Sequence, residues 1–560
     1  MFRRESAKHI VNGTWAVTGV ARQCEVERML RMAKDVDVII IGFGPAGEVA
    51  ASLISQSGHR VLAIDKAPAP YGQPRMSAID GEIARVLQHA ADPKEAMSDA
   101  IPSKFLLQFG ADGEPLPTVR HDYKICGHWR SYASHQPHIE AAMERRIAES
   151  PSAEYRWGWR ATRITQDADG AEVTIESAAD PEQREIVRAR YVLGFDGASS
   201  FVRDEVGIEL DVLHQHDDEW ILTDFQAKHP LPEIVMTAQF RMDPARPWFA
   251  CANGSTKCRT DIRVMPGENL KEELANEDHA FEFMEQHFGL TRDDISIIRR
   301  VGYRFRSQIA RRFRNGRVFI GGDAAHAMPP FMAQGACSAM RDAANIAWKM
   351  RLVLSGTADE SLLDTYEAER IPHSAFFVHG SLATLRFVSE TDPVKAAERD
   401  AAVRGGHVKF PDFPGLEHGV VYRTPTGELA PHAGRLAPQG IVRINGEEGL
   451  IDDLVGYGPQ LISRLPVTDI LDGEQLARLK QLGTRIVHVS DDESGDAVDV
   501  DGTYRDFWDA TGASTLLSRP DVYLFGVADS EREIGDLVDA FLRAVPPPAA
   551  AHAEPVPAMA

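Results

Sequence analysis

The sequence predicts an α/β protein: a Rossmann-like unit whose chain leaves for a β-rich insertion, returns, and then adds a smaller α/β unit. Three observations carry this prediction. An apolar run, a glycine turn, an amphipathic helix pattern and a second apolar run follow one another at 35–66, in "DVDVIIIGFGPAGEVAASLISQSGHRVLAIDK". Two later turns, "FDGASSFVR" at 195–203 and "GGDAAHAMPP" at 321–330, each close an apolar run with glycine and an acid. Between about 153 and 300 the hydrophobic period is largely two, that of half-buried strands.

Residues 1–34 mix Arg3, Arg4, Lys8 and Arg22 with Glu5, Glu25 and Glu27 and hold no long apolar core. They read as a disordered extension and not a secretory signal, with Met29 or Met32 as an alternative natural start. The 35–66 stretch is a βαβ unit. Residues 66–135 are irregular, with "APAPYGQPRM" as a loop and "SAIDGEIARVLQHA" as a helix, and no second crossover follows at once. After a helix at "QPHIEAAMERRIAE", strands at "AEYRWGWRATRITQD", "AEVTIES" and "EIVRARYVLGFDG" form a meander back to the sheet. A first unit over 35–209 and 300–395 is thus split by an inserted sheet-plus-helix layer at 210–299. A C-terminal unit follows at 396–545, and a Pro- and Ala-rich tail at 546–560 is expected to be disordered.

With 61 basic against 83 acidic side chains the net charge is -22, which disfavours a nucleic-acid partner. No apolar run approaches the roughly 18 residues of a membrane span. Five cysteines are scattered without a CxxC pair, so neither a disulfide framework nor a metal site is expected. A reducing cytoplasm is the expected compartment.

The chemistry begins at the first turn. Gly42 allows the tight bend, Gly44 lets backbone approach a pyrophosphate, and Gly47 lets helix and strand pack closely. Pro45 and Ala46 open the helix, whose N-terminus favours phosphate. Asp65, 18 positions after Gly47 and beside Lys66, stands where a ribose hydroxyl is read. The motif implies a dinucleotide, FAD or NAD.

The three motifs in this order resemble the single-component FAD-dependent aromatic hydroxylases, the class A flavoprotein monooxygenases. The likeness is nearest to the 3-(3-hydroxyphenyl)propionate and phenol hydroxylases, through "PRMSAIDGEIARVLQ", "GRVFIGGDAAHAMPP" and "QGACSAMRDAANIAWK". The resemblance implies a Rossmann-like FAD-binding domain of the p-hydroxybenzoate hydroxylase type and an inserted β-sheet substrate domain. It also implies a thioredoxin-like C-terminal domain, here without cysteine and so without redox exchange, suited to dimer contacts or folding; a homodimer is left open.

By the same resemblance FAD is held by Gly42, Gly44, Pro45, Ala46, Gly47, Asp65, Lys66, Arg75, Gln136, Asp196, Gly197, Gly322, Asp323, Pro330, Gly335 and Ala336. Asp196 and Gly197 belong to a DGxxSxhR pattern completed by Ser200 and Arg203. His326 shapes its loop, Pro329 and Pro330 stiffen it, and the helix beginning near Gly335 points its positive end at the flavin. Asp342 and Asn345 match the family's DAxN. NADH or NADPH would reduce FAD, O2 would give a flavin C4a-hydroperoxide, and its distal oxygen would pass to a phenolic ring such as 3-(3-hydroxyphenyl)propionate.

A base should activate the phenol; Tyr303, His128 and Tyr123 are candidates. Trp220, Phe225, Trp248, Phe331 and Met332 are expected to wall the substrate, and Arg241 or Arg263 to hold a carboxylate. Alternatives are an epoxidase or another ring-modifying flavin oxidoreductase of the same fold, or an NAD-dependent dehydrogenase. "WGWR" at 157–160 lacks the Ile-Pro of flavin halogenases, which sets that reading aside.

Overall fold

The computed structural model describes residues 34–409 and 411–548. The expected N-terminal extension, apart from Lys34, and residues 549–560 of the expected tail lie outside them. The first apolar run is the strand Lys34–Ile41, and it lies at the centre of an eight-stranded sheet. It pairs in parallel with Val61–Asp65 on one side and with Arg184–Gly194 on the other. Val318–Ile320 adds a further parallel partner at the end of Arg184–Gly194, so all three glycine turns emerge at one sheet end. The helices Pro45–Ser55 and Gly335–Leu354 pack on each other.

The pattern "AEYRWGWRATRITQD" reads as one strand but forms two. Gly158, at φ +75°, breaks it: Ala153–Trp157 runs parallel to Val61–Asp65, while Trp159–Gln166 runs antiparallel to Ala171–Ser177. A residue with a Cβ would resist that left-handed backbone.

The middle sheet also has eight strands. Its long elements are Leu210–Ala227 and Ile295–Ala310, with Lys257–Arg263, Trp248–Ala252 and Ala238–Arg241 beside them. It reaches beyond the 210–299 insertion at both ends. Ile295–Ala310 is one continuous strand, and Phe105–Phe109 and Val119–Arg120, from the stretch read as irregular, extend the other edge. The helix Glu277–Phe288 covers one face, and the other face looks onto the cavity described below.

The C-terminal unit is a mixed seven-stranded sheet, in which Gln460–Ser463 runs parallel to Arg485–Ser490 and antiparallel to Thr515–Ser518. This is the thioredoxin-like arrangement expected. It does not hang loosely: one buried cluster runs from Val38 and Ile40 to Leu517 and Phe541. Polar ties cross the same boundary. Arg85, buried in the helix Gly81–Ala90, donates to Asp452 Oδ2 at 2.7 Å, Asp452 Oδ1 at 2.9 Å and the Ala437 carbonyl at 2.8 Å. Arg519 grips the equally buried Glu369, with Nη2 2.7 Å from Oε2.

Candidate active site

The turn at 42–47 is built by backbone approach. A Cβ on Gly42, at φ +99°, would lie 2.3 Å from the Phe195 carbonyl oxygen, and one on Gly47 would lie 2.1 Å from that of Gly42. Gly44 differs: its φ of -97° suits any residue, and a Cβ there would meet nothing within 4 Å. The protein therefore needs Gly42 and Gly47 for itself and leaves bare backbone at Gly44 facing open space. Asp65 ties the turn to the sheet, accepting from Phe43 N at 3.0 Å and Ala67 N at 2.8 Å.

The second turn is held internally. Asp196 accepts from Ser200 Oγ at 2.5 Å and Val202 N at 3.0 Å, capping the short helix Phe201–Glu205. Arg203 donates to the carbonyls of Ala198 at 3.1 Å and Ala324 at 3.2 Å, which joins the second turn to the third. In the third, Asp342 is the organiser. Its Oδ2 meets Gly322 N at 2.9 Å and His326 Nε2 at 2.6 Å, and its Oδ1 meets Arg370 Nε at 2.7 Å. His326 thus holds the loop and does not face the cavity, while Asn345 donates to Glu369 and Asp521 as a packing residue.

Asp323 lines the cavity with its side chain exposed there, and desolvation by the surrounding walls raises its carboxyl above the usual range. Ahead of the helix Gly335–Leu354, Ala333 sits at φ +54° and Gln334 gives no side-chain cap. The first N–H groups of that helix are left to a ligand.

Between these turns and the middle sheet lies one cavity of ≈ 2840 Å³, and every expected cofactor-binding position lines it. A drug-sized ligand fills about 300–1,000 Å³, so the space suits a dinucleotide with a second molecule beside it. The bare backbone at Gly44, the carboxylates of Asp65 and Asp323 and the uncapped helix end fit FAD. Gln136 lines the cavity, but its amide is engaged by the loop beside it: Oε1 accepts from Arg75 N at 3.0 Å and Met76 N at 2.9 Å. Arg75 itself lies over Tyr71, 4.1 Å from the ring centroid.

On the cavity face of the middle sheet stand Trp220, Phe240, Phe249, Tyr303 and Phe305. Phe331 closes the group from the third turn, 5.0 Å from Trp220, 5.6 Å from Phe305 and 6.2 Å from Phe240 between ring centroids. Met332 lines the same cavity. These six rings form a box.

Phe225 and Trp248 require a correction. They point through the opposite face of the sheet into a separate core with Phe283, Met284 and Ile295, away from the cavity. Of the base candidates, Tyr303 lines the box and Tyr123 lies at the cavity edge, 45–50% exposed in company with Tyr71. His128 is outside the cavity: its Nε2 meets Gln88 Oε1 at 2.8 Å, and burial followed by Arg85 pushes its pKa down to about 4. Neither carboxylate candidate lines the wall. Arg241 lies over the rings of Phe109 and Trp248, and Arg263 is engaged by Asp218 and the Ser389 carbonyl.

Several polar groups escaped the sequence reading. Asp80 lines the cavity but is bound to Arg341 and Gln334 and caps Ile83 N. Behind the first turn Glu48 is fully buried with neither oxygen hydrogen-bonded. Burial, then Glu140 and Glu144, raises its carboxyl far above the usual range. Asp261 lines the box and is also buried. Asp99, His135 and His138 bring ligand atoms together, but Lys257 Nζ, 3.1 Å from Asp99 Oδ2, already neutralises that oxygen.

Comparison with known proteins places this geometry. Residues 35–381 match the FAD binding domain family, and 434–544 match the HcaD C-terminal domain. The chain is 32% identical over 525 residues to a probable NADH-specific resorcinol 4-hydroxylase of Rhodococcus jostii (strain RHA1), covering 92% of this chain and 96% of the relative. It is 29% identical over 528 residues to a 3-(3-hydroxy-phenyl)propionate/3-hydroxycinnamic acid hydroxylase of Mycobacterium sp. (strain JLS), covering 89% and 90%. The solved flavin-dependent monooxygenase PieE, in complex with FAD and substrate, shares the fold with a TM-score of 0.74 at 19% identity, over 91% of this chain and 99% of that one. By its matched domain, its relatives and the three turns around one cavity, the chain belongs to the FAD-dependent aromatic hydroxylases.

Proposed function

We propose that this protein hydroxylates a phenolic ring held in the aromatic box, using reduced nicotinamide and O2. The observation that carries the reading is the continuity of the cavity: the dinucleotide cradle and the six-ring box share one space, joined at the loop before Gly335. Bound FAD supplies the redox and oxygen-transfer chemistry, and the chain supplies position, dryness and proton handling.

Gly42 to Gly47 and Asp65 would hold the ADP half, with Asp323 and Arg75 along the flavin chain. The N-terminus of Gly335–Leu354 would face the flavin ring, where a helix end favours negative charge by roughly 0.3 to 2 kcal/mol. Trp220, Phe240, Phe305 and Phe331 would stack around the substrate and keep water from it. The relatives named for resorcinol and for 3-(3-hydroxyphenyl)propionate both act on ring hydroxyl compounds, and the first is named as NADH-specific, which supports NADH as the donor. Neither an epoxidase nor an NAD-dependent dehydrogenase is favoured by these relatives. Among the described residues no helix is long and apolar enough to cross a membrane, in keeping with the cytoplasmic compartment we propose.

The test is purified holoenzyme with a panel of phenols, scored for NADH oxidation together with hydroxylated product. Product from at least one phenol is expected; NADH oxidation without product across the panel refutes the reading.

A further inference from the structure

Asp261 is an acid in a place where an acid is expensive. It stands on the strand Lys257–Arg263, paired with Leu222 on one side and Phe249 on the other, both of which line the box. Its side chain is buried and its Oδ1 has no hydrogen-bond partner. A buried polar atom left unpaired destabilises the fold, and a ligand that supplies the partner removes that cost. One register step away, the Trp220 indole Nε1 is likewise buried without an acceptor. Asp261 therefore stands in the cavity wall with its Oδ1 lacking a hydrogen-bond partner among the described residues, whereas Trp220 Nε1 is sealed within the packed rings.

The charged groups facing Asp261 are known from each neighbouring strand. Arg259, on its own strand, and Arg299, on Ile295–Ala310, are both engaged by Asp224 on Leu210–Ala227, at 2.7 Å each. Cys251, on Trp248–Ala252, is a neutral thiol pushed up to about 12 by burial. Burial raises the Asp261 carboxyl to about 7 against the pull of Arg259, with Asp224 adding to the rise. A carboxylate of that basicity is better matched to a phenol than an ordinary aspartate is.

We propose that Asp261 is the catalytic base for the substrate hydroxyl and that it selects phenols without a carboxylate of their own. The phenolic O–H bond breaks, the proton passes to a carboxylate oxygen of Asp261, and the electron pair stays on the phenolate oxygen, enriching the ring for attack. An arylpropionate carboxylate placed beside Asp261 would set one negative charge against another, because Arg259 and Arg299 are already engaged by Asp224. The inference rests on the proposed phenol hydroxylation.

The test compares wild type with Asp261→Asn in the holoenzyme, on resorcinol and on 3-(3-hydroxyphenyl)propionate, with flavin absorbance as the check of folding. Wild-type kcat/KM on resorcinol should rise with pH through about 7 as Asp261 loses its proton. In Asp261→Asn that limb should vanish and the rate fall about 100- to 10,000-fold. The preference for resorcinol over the propionate should shrink at least tenfold. Asp261→Ala should recover activity with added formate, which fits the vacated space. An unchanged pH limb and substrate ratio in Asp261→Asn, or no recovery of Asp261→Ala by formate, overturns the assignment. Wild type that yields no hydroxylated phenol overturns the proposed function itself, so the two failures are distinguishable.

Discussion

Gly44→Ala should separate what the fold needs from what the cofactor needs. A Cβ at Gly44 meets nothing within 4 Å, and the backbone angles there suit alanine, so the apoprotein should melt within about 1 °C of wild type. The same methyl group would stand in the space into which a pyrophosphate must settle. Overpacking of that kind costs about 1–3 kcal/mol, or roughly 5- to 150-fold in dissociation constant. Gly47→Ala makes the contrast, since its Cβ would lie 2.1 Å from a backbone oxygen that has no room to retreat. It should lose folded yield before any question of cofactor arises. The assay is titration of apoprotein with FAD, followed by quenching of flavin fluorescence, beside thermal melts of the apo forms. Gly44→Ala that binds FAD as tightly as wild type would refute the placement of the pyrophosphate at this turn.

Other consequences can be checked directly. Phe225→Ala should lower stability by about 3–5 kcal/mol in a chemical melt yet leave KM for the phenol within twofold, whereas Phe331→Ala should raise KM; the reverse pattern would contradict the two faces of the middle sheet. Burial alone would raise the carboxyl of Glu369, but Arg519 and Lys349 override it and hold it at about 2, against an ordinary 4.5. That depression contributes on the order of 3 kcal/mol above pH 4.5, lost as pH falls toward 2. Melts of Glu369→Gln and wild type should therefore differ at pH 7 and converge in acid.

Much of the cradle was legible because each of its residues answers to a local rule. A glycine needed for a backbone contact, an acid at a strand end and a proline-stiffened loop leave marks within a few positions of one another. The wall of the box leaves a weaker mark, and part of it was misread. Trp220 and Phe225 have opposite parity on one strand and so face opposite ways; Trp248 and Phe249, as neighbours, do so as well. Parity alone would have divided these residues, but only the packing of Glu277–Phe288 says which side is core.

Asp261 was hidden for a different reason. Arg259, Asp261 and Arg263 alternate with Cys258, Thr260 and Ile262, a pattern that reads as a solvated strand face. That face instead roofs the cavity, which follows from the packing of the middle sheet over the turns at 42–47 and 321–335 and has no local signature. The split at Gly158 was likewise invisible to periodicity, since each half keeps a period of two.

The grip of the C-terminal unit on Arg85 sets an order of events during synthesis. Arg85 lies in the helix beside the cavity, yet its carboxylate partner Asp452 comes 367 residues later. Translation at about 5–20 residues per second takes roughly 20–70 s to cover that interval. Until then the guanidinium must stay in water and its helix cannot seal. A ribosome-bound or prematurely terminated chain would accordingly remain colourless, and the appearance of yellow would mark a chain translated past Asp452.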